Sequence, residues 1–249
     1  MILKNKLALI TGANRGIGLS VLKKFSENGA DIIACSRNRD EKFEELMLNI
    51  SKEHKNTITP VYFDLSKEDE IERGIEKISA MPNSHKIEII VNNAGINQVS
   101  LFQMTSIEKM KEIFDINYFS PLLFTQYIVK KMAKQKEGSI INISSSSAIE
   151  ANEGRLAYAS SKAALITSTK VIAKELGRLN IRVNAIAPGL TETDMMKSST
   201  PENILQETIK RISLNRVGSP DEIANVVLFL SSNLSNYITG QVLSVDGGM

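Results

Sequence analysis

Seven short apolar runs alternate with stretches of helical periodicity along this chain, and that alternation limits its fold more than any other feature. Residues 6–11 (KLALIT) form a near-continuous apolar run, as a strand buried on both faces requires. Comparable runs occupy residues 31–36, 58–63, 86–91, 139–143, 181–187 and 241–245. Helical patterns fill the intervals at 19–28, 40–53, 68–80, 106–134, 156–179 and 220–230. Gly29 stops the first helix, Pro121 is a candidate kink in the fourth, and Ser219-Pro220 opens the last as cap and first-turn residue. Repeating βα units imply an α/β fold: a doubly wound, Rossmann-type parallel sheet of seven strands with helices on both faces and right-handed crossovers. Nothing reads as a linker, an internal repeat or a low-complexity segment, so residues 1–249 are expected to form one domain.

Composition removes several function classes. The chain has 249 residues, 42% of them hydrophobic and 23% charged, with a formal net charge of +2. That balance argues against a nucleic-acid or membrane-surface partner. Cys35 is the only cysteine, and His54 and His85 are the only histidines. No disulfide is expected within the chain, no metal site, and no Ser-His-Asp triad unless one of these histidines folds beside the serines at 144–147. No cleavage pattern or run of membrane-spanning length occurs, so a soluble, cytoplasmic protein is expected.

Two stretches carry chemistry. The first βα turn reads Thr11-Gly12-Ala13-Asn14-Arg15-Gly16-Ile17-Gly18. In a doubly wound sheet this turn meets a ligand's phosphates, with glycines admitting the pyrophosphate and the helix N-terminus favouring its charge. The second strand ends in Cys35-Ser36-Arg37-Asn38, with no acid before Asp40. A carboxylate there would suit the 2′-hydroxyl of NAD. Arg37, with Arg15 in reach, suits a 2′-phosphate instead, so NADP(H) is the expected cofactor. A solvated loop charge is the plainer reading of Arg37. The second stretch runs from Ser145 to Lys162. Tyr158 and Lys162 are one helical turn apart and share a face. A phenol near an ammonium can have its pKa drawn from about 10 toward neutrality, because a unit charge about 4 Å away supplies roughly the 4 kcal/mol required. Spacing alone does not decide the matter, because Tyr127 and Lys131 have it too.

Taken together, these residues resemble the short-chain dehydrogenase/reductase family along essentially the whole chain. The motifs are Thr11-Gly12-x-x-x-Gly16-Ile17-Gly18, Asp64-Leu65, Asn92-Asn93-Ala94-Gly95, Asn117, Ser145, Tyr158-x-x-x-Lys162, and Pro188-Gly189 with Thr193. The resemblance implies the strand order 3-2-1-4-5-6-7 and an enzyme moving a hydride between nicotinamide and a carbonyl or secondary alcohol. It implies Ser145 as hydrogen-bond donor to the reacting oxygen, Tyr158 as proton donor, Lys162 as its partner on the ribose, and Asn117 as holder of a relay water. Asp64 and Leu65 would line the adenine. Asn92, Ala94 and Gly95 would follow the ribose and pyrophosphate, and Pro188, Gly189, Thr191 and Thr193 would border the nicotinamide amide. Tyr127 and Lys131 would be structural.

Residues 92–96, 188–195 and 238–249 look most like the branch of 3-oxoacyl-[acyl-carrier-protein] reductases of fatty acid biosynthesis. Asn97-Gln98-Val99 departs from it, since charged residues are often seen there. Acyl carrier proteins are acidic, and Lys130, Lys131, Lys134, Lys136, Arg178 and Arg182 offer a basic docking patch, or a solvated set of helix ends. A reductase of sugars, nucleotide sugars or small ketones is the alternative, and a non-catalytic dinucleotide sensor a remoter one. Residues 190–215 read as a polar lid with Met195 and Met196 as an adaptable wall. The family implies a homotetramer built on helices 106–134 and 156–179 and on the C-terminal helix and strand.

Overall fold

The structure is a computed structural model that describes residues 1–249, the side chain of His85 excepted. The possibility of a triad through His85 therefore lies outside the described residues. Strands β1 (Leu7–Thr11), β2 (Asp31–Ser36), β3 (Ile58–Tyr62), β4 (Ile87–Asn92), β5 (Gly138–Ile143), β6 (Ile181–Pro188) and β7 (Val242–Val245) form one sheet in the order β3-β2-β1-β4-β5-β6-β7. Every pairing is parallel. Helices α1 (Gly16–Glu27), α2 (Glu41–His54) and α3 (Glu68–Ala80) alternate with the first strands. After β4 come α4 (Ile107–Phe114), a π-helical turn (Asp115–Phe119) and α5 (Ser120–Gln135). The short α6 (Ser147–Glu150) and the long α7 (Leu156–Leu176) lie between β5 and β6. Helices α8 (Asp194–Ser199), α9 (Glu202–Arg211) and α10 (Pro220–Ser231) precede β7.

The sheet has a core on each side. On one, Val21, Leu22 and Phe25 of α1 meet Ile223, Val227 and Leu230 of α10. On the other, Phe124 and Ile128 of α5 pack with Phe63, Ile140 and Val183, and the Phe63 and Phe124 rings stack at 5.7 Å. This is why the strands read as uninterrupted apolar runs: side chains on both faces leave water, each fully buried Leu, Ile or Phe contributing about 1.5–3 kcal/mol. α10 starts as its sequence indicates, in a capping box between Ser219 and Glu222.

A buried polar ladder crosses the second core. Asn92 Nδ2 donates to Thr125 Oγ1 at 2.9 Å and Asn142 Oδ1 at 2.8 Å. Asn142 Nδ2 donates to Thr169 Oγ1 at 2.8 Å, whose hydroxyl donates to the Leu165 carbonyl. The ladder fixes α5 and α7 against β4 and β5, and with α7 it fixes Tyr158 and Lys162.

Two expectations need correction, both within residues 106–134. The single helix over 106–134 is two helices joined by the π turn at 115–119. Pro121 does not kink a continuous helix; it sits in the first turn of α5, and its missing N–H cannot close an α-helical bond to the Asn117 carbonyl. Residues 190–215 hold α8 and α9, and Thr191 bridges to Gly218 at their base. The basic residues lie at the strands' amino ends: α5 ends just before β5 begins, and Arg178 and Arg182 flank the start of β6. Two of them are also engaged. Lys131 Nζ donates to Ser84 Oγ at 3.1 Å, and Arg182 Nη2 to the Ser232 carbonyl at 3.2 Å.

Candidate active site

A cleft of about 1630 Å³ opens at the carboxyl ends of the strands. It runs from Arg37 and Asp64, beyond β2 and β3, to Met195 and Arg211 on α8 and α9. Parallel strands create such a crevice where neighbouring connections leave in opposite directions.

The glycine turn forms its floor. Gly12 adopts φ 66°, a left-handed conformation that glycine takes without strain. A β-carbon on Gly18 would stand 2.1 Å from the Gly12 carbonyl oxygen, so α1 approaches the turn as closely as bare backbone allows. Gly18 therefore shapes the floor from behind, while Gly12, Asn14, Arg15, Gly16 and Ile17 line it. No side chain caps α1 and its first turn carries no acid, which leaves its positive end facing the cleft. Thr11 and Asn93 hold the turn in place. Thr11 Oγ1 accepts from the backbone N–H groups of Asn93 (3.0 Å) and Ala94 (3.1 Å), and Asn93 Nδ2 donates to the carbonyls of Thr11 (3.0 Å) and Gly12 (3.1 Å). Asn93 had no assigned role in the sequence, although it sits inside a quoted motif. Asn92 does not reach the cleft; its amide belongs to the buried ladder.

At the β2 end Asp40, Glu44 and Asp64 are engaged. Asp40 accepts from the Lys42 N–H at 3.0 Å and caps α2. Glu44 accepts from Arg39 Nε and Nη2 at 3.1 and 3.0 Å and from Tyr62 Oη at 2.7 Å. Burial pushes the Asp64 carboxyl up, but hydrogen bonds from the Ser66 N–H and hydroxyl, with Arg37 nearby, hold it below its ordinary range. Among the described residues, Arg15 and Arg37 make no ion pair and no side-chain hydrogen bond. Arg37, Asp64 and Leu65 all line this end.

The middle of the cleft holds Ser145, Tyr158 and Lys162. Ser144 Oγ donates to the Lys162 carbonyl at 3.0 Å and so ties α7 to the end of β5. Lys162 Nζ donates to the Ile143 carbonyl at 2.7 Å, and burial pushes its ammonium down to about 8. Its nitrogen stands 6.0 Å from the Tyr158 ring centre. Ser145 Oγ accepts from the Ser147 N–H at 3.2 Å and lies in hydrogen-bonding reach of the Tyr158 phenol. Lys162 is not among the groups that pull on the phenol in this structure. Burial pushes Tyr158 up, and the opposing pull comes from Ser145 and Arg155. The ammonium faces a backbone carbonyl and is itself stripped of water, so its field at the phenol does not dominate.

Asn117 lies behind this centre, fully buried on the π turn. Its Oδ1 accepts from the Ile96 N–H at 2.9 Å; its Nδ2 donates to the Ile96 carbonyl at 2.9 Å and to Ser161 Oγ at 3.1 Å. A β-carbon on Gly95 would be 3.0 Å from Asn117 Oδ1 and 3.4 Å from Lys162 Nζ, so the three residues meet at one point. Ala94 and Gly95 line the cleft in front. The Asn117 amide is thus a staple between loop and helix. Beyond Tyr158, the Pro188 carbonyl accepts from the Ser146 N–H at 2.8 Å, and Thr193 Oγ1 caps α8 through the Met196 N–H at 3.2 Å. Pro188, Gly189, Thr191 and Thr193 line this wall. Tyr127 and Lys131 stand on α5 outside the cleft lining. Among the described residues no group of three or more His, Cys, Asp or Glu side chains is placed to hold a metal ion. No helix among them is long and apolar enough to cross a membrane.

These residues fit a dinucleotide phosphate. The bare-backbone floor and uncapped helix end suit a pyrophosphate, and two unpaired guanidinium groups suit a further phosphate. The family described as enoyl-(acyl carrier protein) reductase matches residues 12–249. The chain is 40% identical to the 3-oxoacyl-[acyl-carrier-protein] reductase FabG of Chlamydia muridarum, covering 100% of this chain and 98% of that protein. Among solved structures it is similar to a short chain dehydrogenase/reductase family protein, with TM-score 0.86, 30% identity, and coverage of 100% of this chain and 98% of the other. It is also similar to a putative NAD(P) dependent gluconate 5-dehydrogenase from Beutenbergia cavernae with bound NADP, at TM-score 0.91, 26% identity and coverage of 99% and 97%.

The buried ammonium sets a testable linkage. With its pKa lowered to about 8, Lys162 in the folded chain binds fewer protons than in the unfolded chain between about pH 8 and 10.5. Its contribution to stability therefore improves as pH rises through that window, and below it the folded state carries the full cost of a buried charge. Lys162→Met should be more stable than the parent at pH 7 by up to about 3 kcal/mol, with the gap closing toward pH 10.5. Urea unfolding at both pH values measures this; a less stable variant at pH 7 would contradict it.

Proposed function

The chain belongs to the short-chain dehydrogenase/reductase family, and from that premise we propose that it reduces the ketone of 3-oxoacyl thioesters, presented by an acyl carrier protein in the cytoplasm. It is an oxidoreductase that uses NADP(H). The observation that carries the substrate reading is that the Ser145 and Tyr158 hydroxyls are neighbours in the cleft that Lys162 also lines. Two neighbouring hydroxyls can both donate to a single carbonyl oxygen. The full-length similarity to a 3-oxoacyl-[acyl-carrier-protein] reductase supports the choice of ketone.

NADPH supplies the hydride. As charge develops on the substrate oxygen, Ser145 donates a hydrogen bond and Tyr158 delivers the proton. The raised phenol suits this direction, since it keeps its proton at neutral pH. Lys162 holds the ribose hydroxyls and brings positive charge to the same pocket. The Asn117 carbonyl, denied an α-helical partner by Pro121, holds the water that returns a proton through Lys162. Arg15 and Arg37 take the 2′-phosphate, whereas Arg39 is held by Glu44. Asp64 and Leu65 border the adenine, Ala94 and Gly95 the ribose, and Thr191 and Thr193 the nicotinamide amide. Helices α8 and α9 act as a lid over the substrate. Residues 1–249 act as one domain, four copies to the assembly. Exposed Phe102, Met104, Ile107 and Phe119 around α4 and the open edge at β7 supply the apolar and backbone surfaces for two kinds of contact. A keto-sugar reductase is the second reading, favoured by the polar rim of Asn97, Asn152 and Glu153.

NADPH oxidation with an acetoacetyl thioester, set against crotonyl thioester and a panel of keto-sugars, should favour the acetoacetyl compound; turnover of keto-sugars alone would sink the reading. Tyr158→Phe should lower kcat by roughly 10²–10⁴-fold, the usual weight of a positioned proton donor, while fluorescence titration still shows NADPH binding. Full activity in that variant would exclude the mechanism. Arg37→Asp should move the ratio of kcat/KM from NADPH toward NADH by at least about tenfold, as expected when a charge-assisted contact becomes a repulsion. An unchanged ratio would remove Arg37 from the phosphate site. Light scattering should give the mass of four chains, and a monomer would count against the assembly.

A further inference from the structure

The cleft carries a cation that none of the roles above uses. Arg155 is the cap residue immediately before α7, and its charge is felt at the Tyr158 phenol three residues on. It lines the cleft and is half-buried, and among the described residues its guanidinium has no hydrogen bond and no ion pair. Arg15 and Arg37 are also unpaired, but they stand at the far end of the cleft, beyond β1 and β2, whereas Arg155 stands beside the hydroxyl pair. Burial pushes Arg155 below the ordinary arginine range, with the Tyr158 phenol as the one group opposing that shift. The surrounding rim is rigid: the Ser100 N–H donates to the Gly154 carbonyl at 2.9 Å, joining the loop after β4 to the loop before α7. On the same rim, Asn97 Oδ1 is buried and has no partner. Unpaired polar groups stripped of water are costly unless a ligand completes them.

We propose that Arg155 selects the substrate by donating to a second oxygen, one methylene away from the carbonyl that faces Ser145 and Tyr158. A 3-oxoacyl group carries its two oxygens on carbons separated by one methylene, and the second can belong to a thioester or a carboxylate. A guanidinium fork three residues from the catalytic phenol places one donor set beside the other and orients the ketone for hydride attack. The inference rests on the oxidoreductase reading of the site but not on the carrier protein.

The test compares Arg155→Met and Arg155→Lys with the parent on S-acetoacetyl-N-acetylcysteamine and on acetoacetate. Arg155→Met should raise KM for a 3-oxo substrate by about tenfold or more with kcat changed far less, Arg155→Lys should recover part of the loss, and the fluorescence Kd for NADPH should not move in either. A fall in kcat with KM unmoved would place Arg155 on Tyr158 rather than on substrate and overturn the proposal, as would no change at all. If acetoacetate shows the Arg155-dependent KM and the thioester is not a substrate, the inference stands and the thioester reading fails. If the parent reduces keto-sugars but neither 3-oxo compound, both fall.

Discussion

An ammonium ion placed where water is excluded governs this molecule. Lys162 Nζ is directed at the Ile143 carbonyl, with Asn117 Oδ1 and the bare α-carbon of Gly95 close by. Desolvating such a charge opposes folding, and the protein offsets that locally with a backbone acceptor and globally with two apolar cores. The surrounding geometry follows from it. Gly95 must lack a side chain, because a β-carbon would crowd the amide and the ammonium together. Ser144 must pin α7 to β5, because a rotation of that helix would carry the charge away from its acceptor. Removing the charge would relax the fold and end the chemistry, a common bargain between stability and activity.

The buried ladder from Asn92 to Thr169 serves the same centre at a distance. Its members are linked donor to acceptor from Asn92 Nδ2 through Asn142 to Thr169, so the strand ends and the two helices meet in one register rather than sliding on apolar surface. The Thr11–Asn93 staple does for the glycine turn what the ladder does for α7. The glycine turn and Tyr158 are thereby held on one frame, while α8 and α9 stand apart from both cores.

Much of this was legible in the residues. Parallel strands buried on both faces must be apolar throughout, so runs such as KLALIT and DIIACS announced the sheet, and the motif set supplied its order. Of the expected site residues, all but Gly18, Asn92 and Asn117 line the cleft, and those three shape it from behind. What stayed hidden depends on distances between residues far apart in sequence. The π turn at Asn117 could not be read from a periodicity that runs through it. The tie of Arg39 to Glu44, five residues on, separates it from the unpaired Arg37, although composition presents them alike. Sequence does not say which end of the sheet a helix terminus reaches, and the lysines ending α5 reach the amino end. The raised Tyr158 phenol was missed because spacing measures the distance to Lys162 but not the water lost by both.

The account stands on one point in space where two hydroxyls meet a reacting oxygen. The most direct measurement is a crystal structure of the chain with NADP⁺ and a 3-hydroxyacyl thioester bound together. The substrate's 3-oxygen should accept hydrogen bonds from both Ser145 Oγ and Tyr158 Oη, with Lys162 Nζ on the ribose and the carbon facing the nicotinamide. A substrate oxygen bound by neither hydroxyl, in a closed and fully occupied cleft, would contradict it.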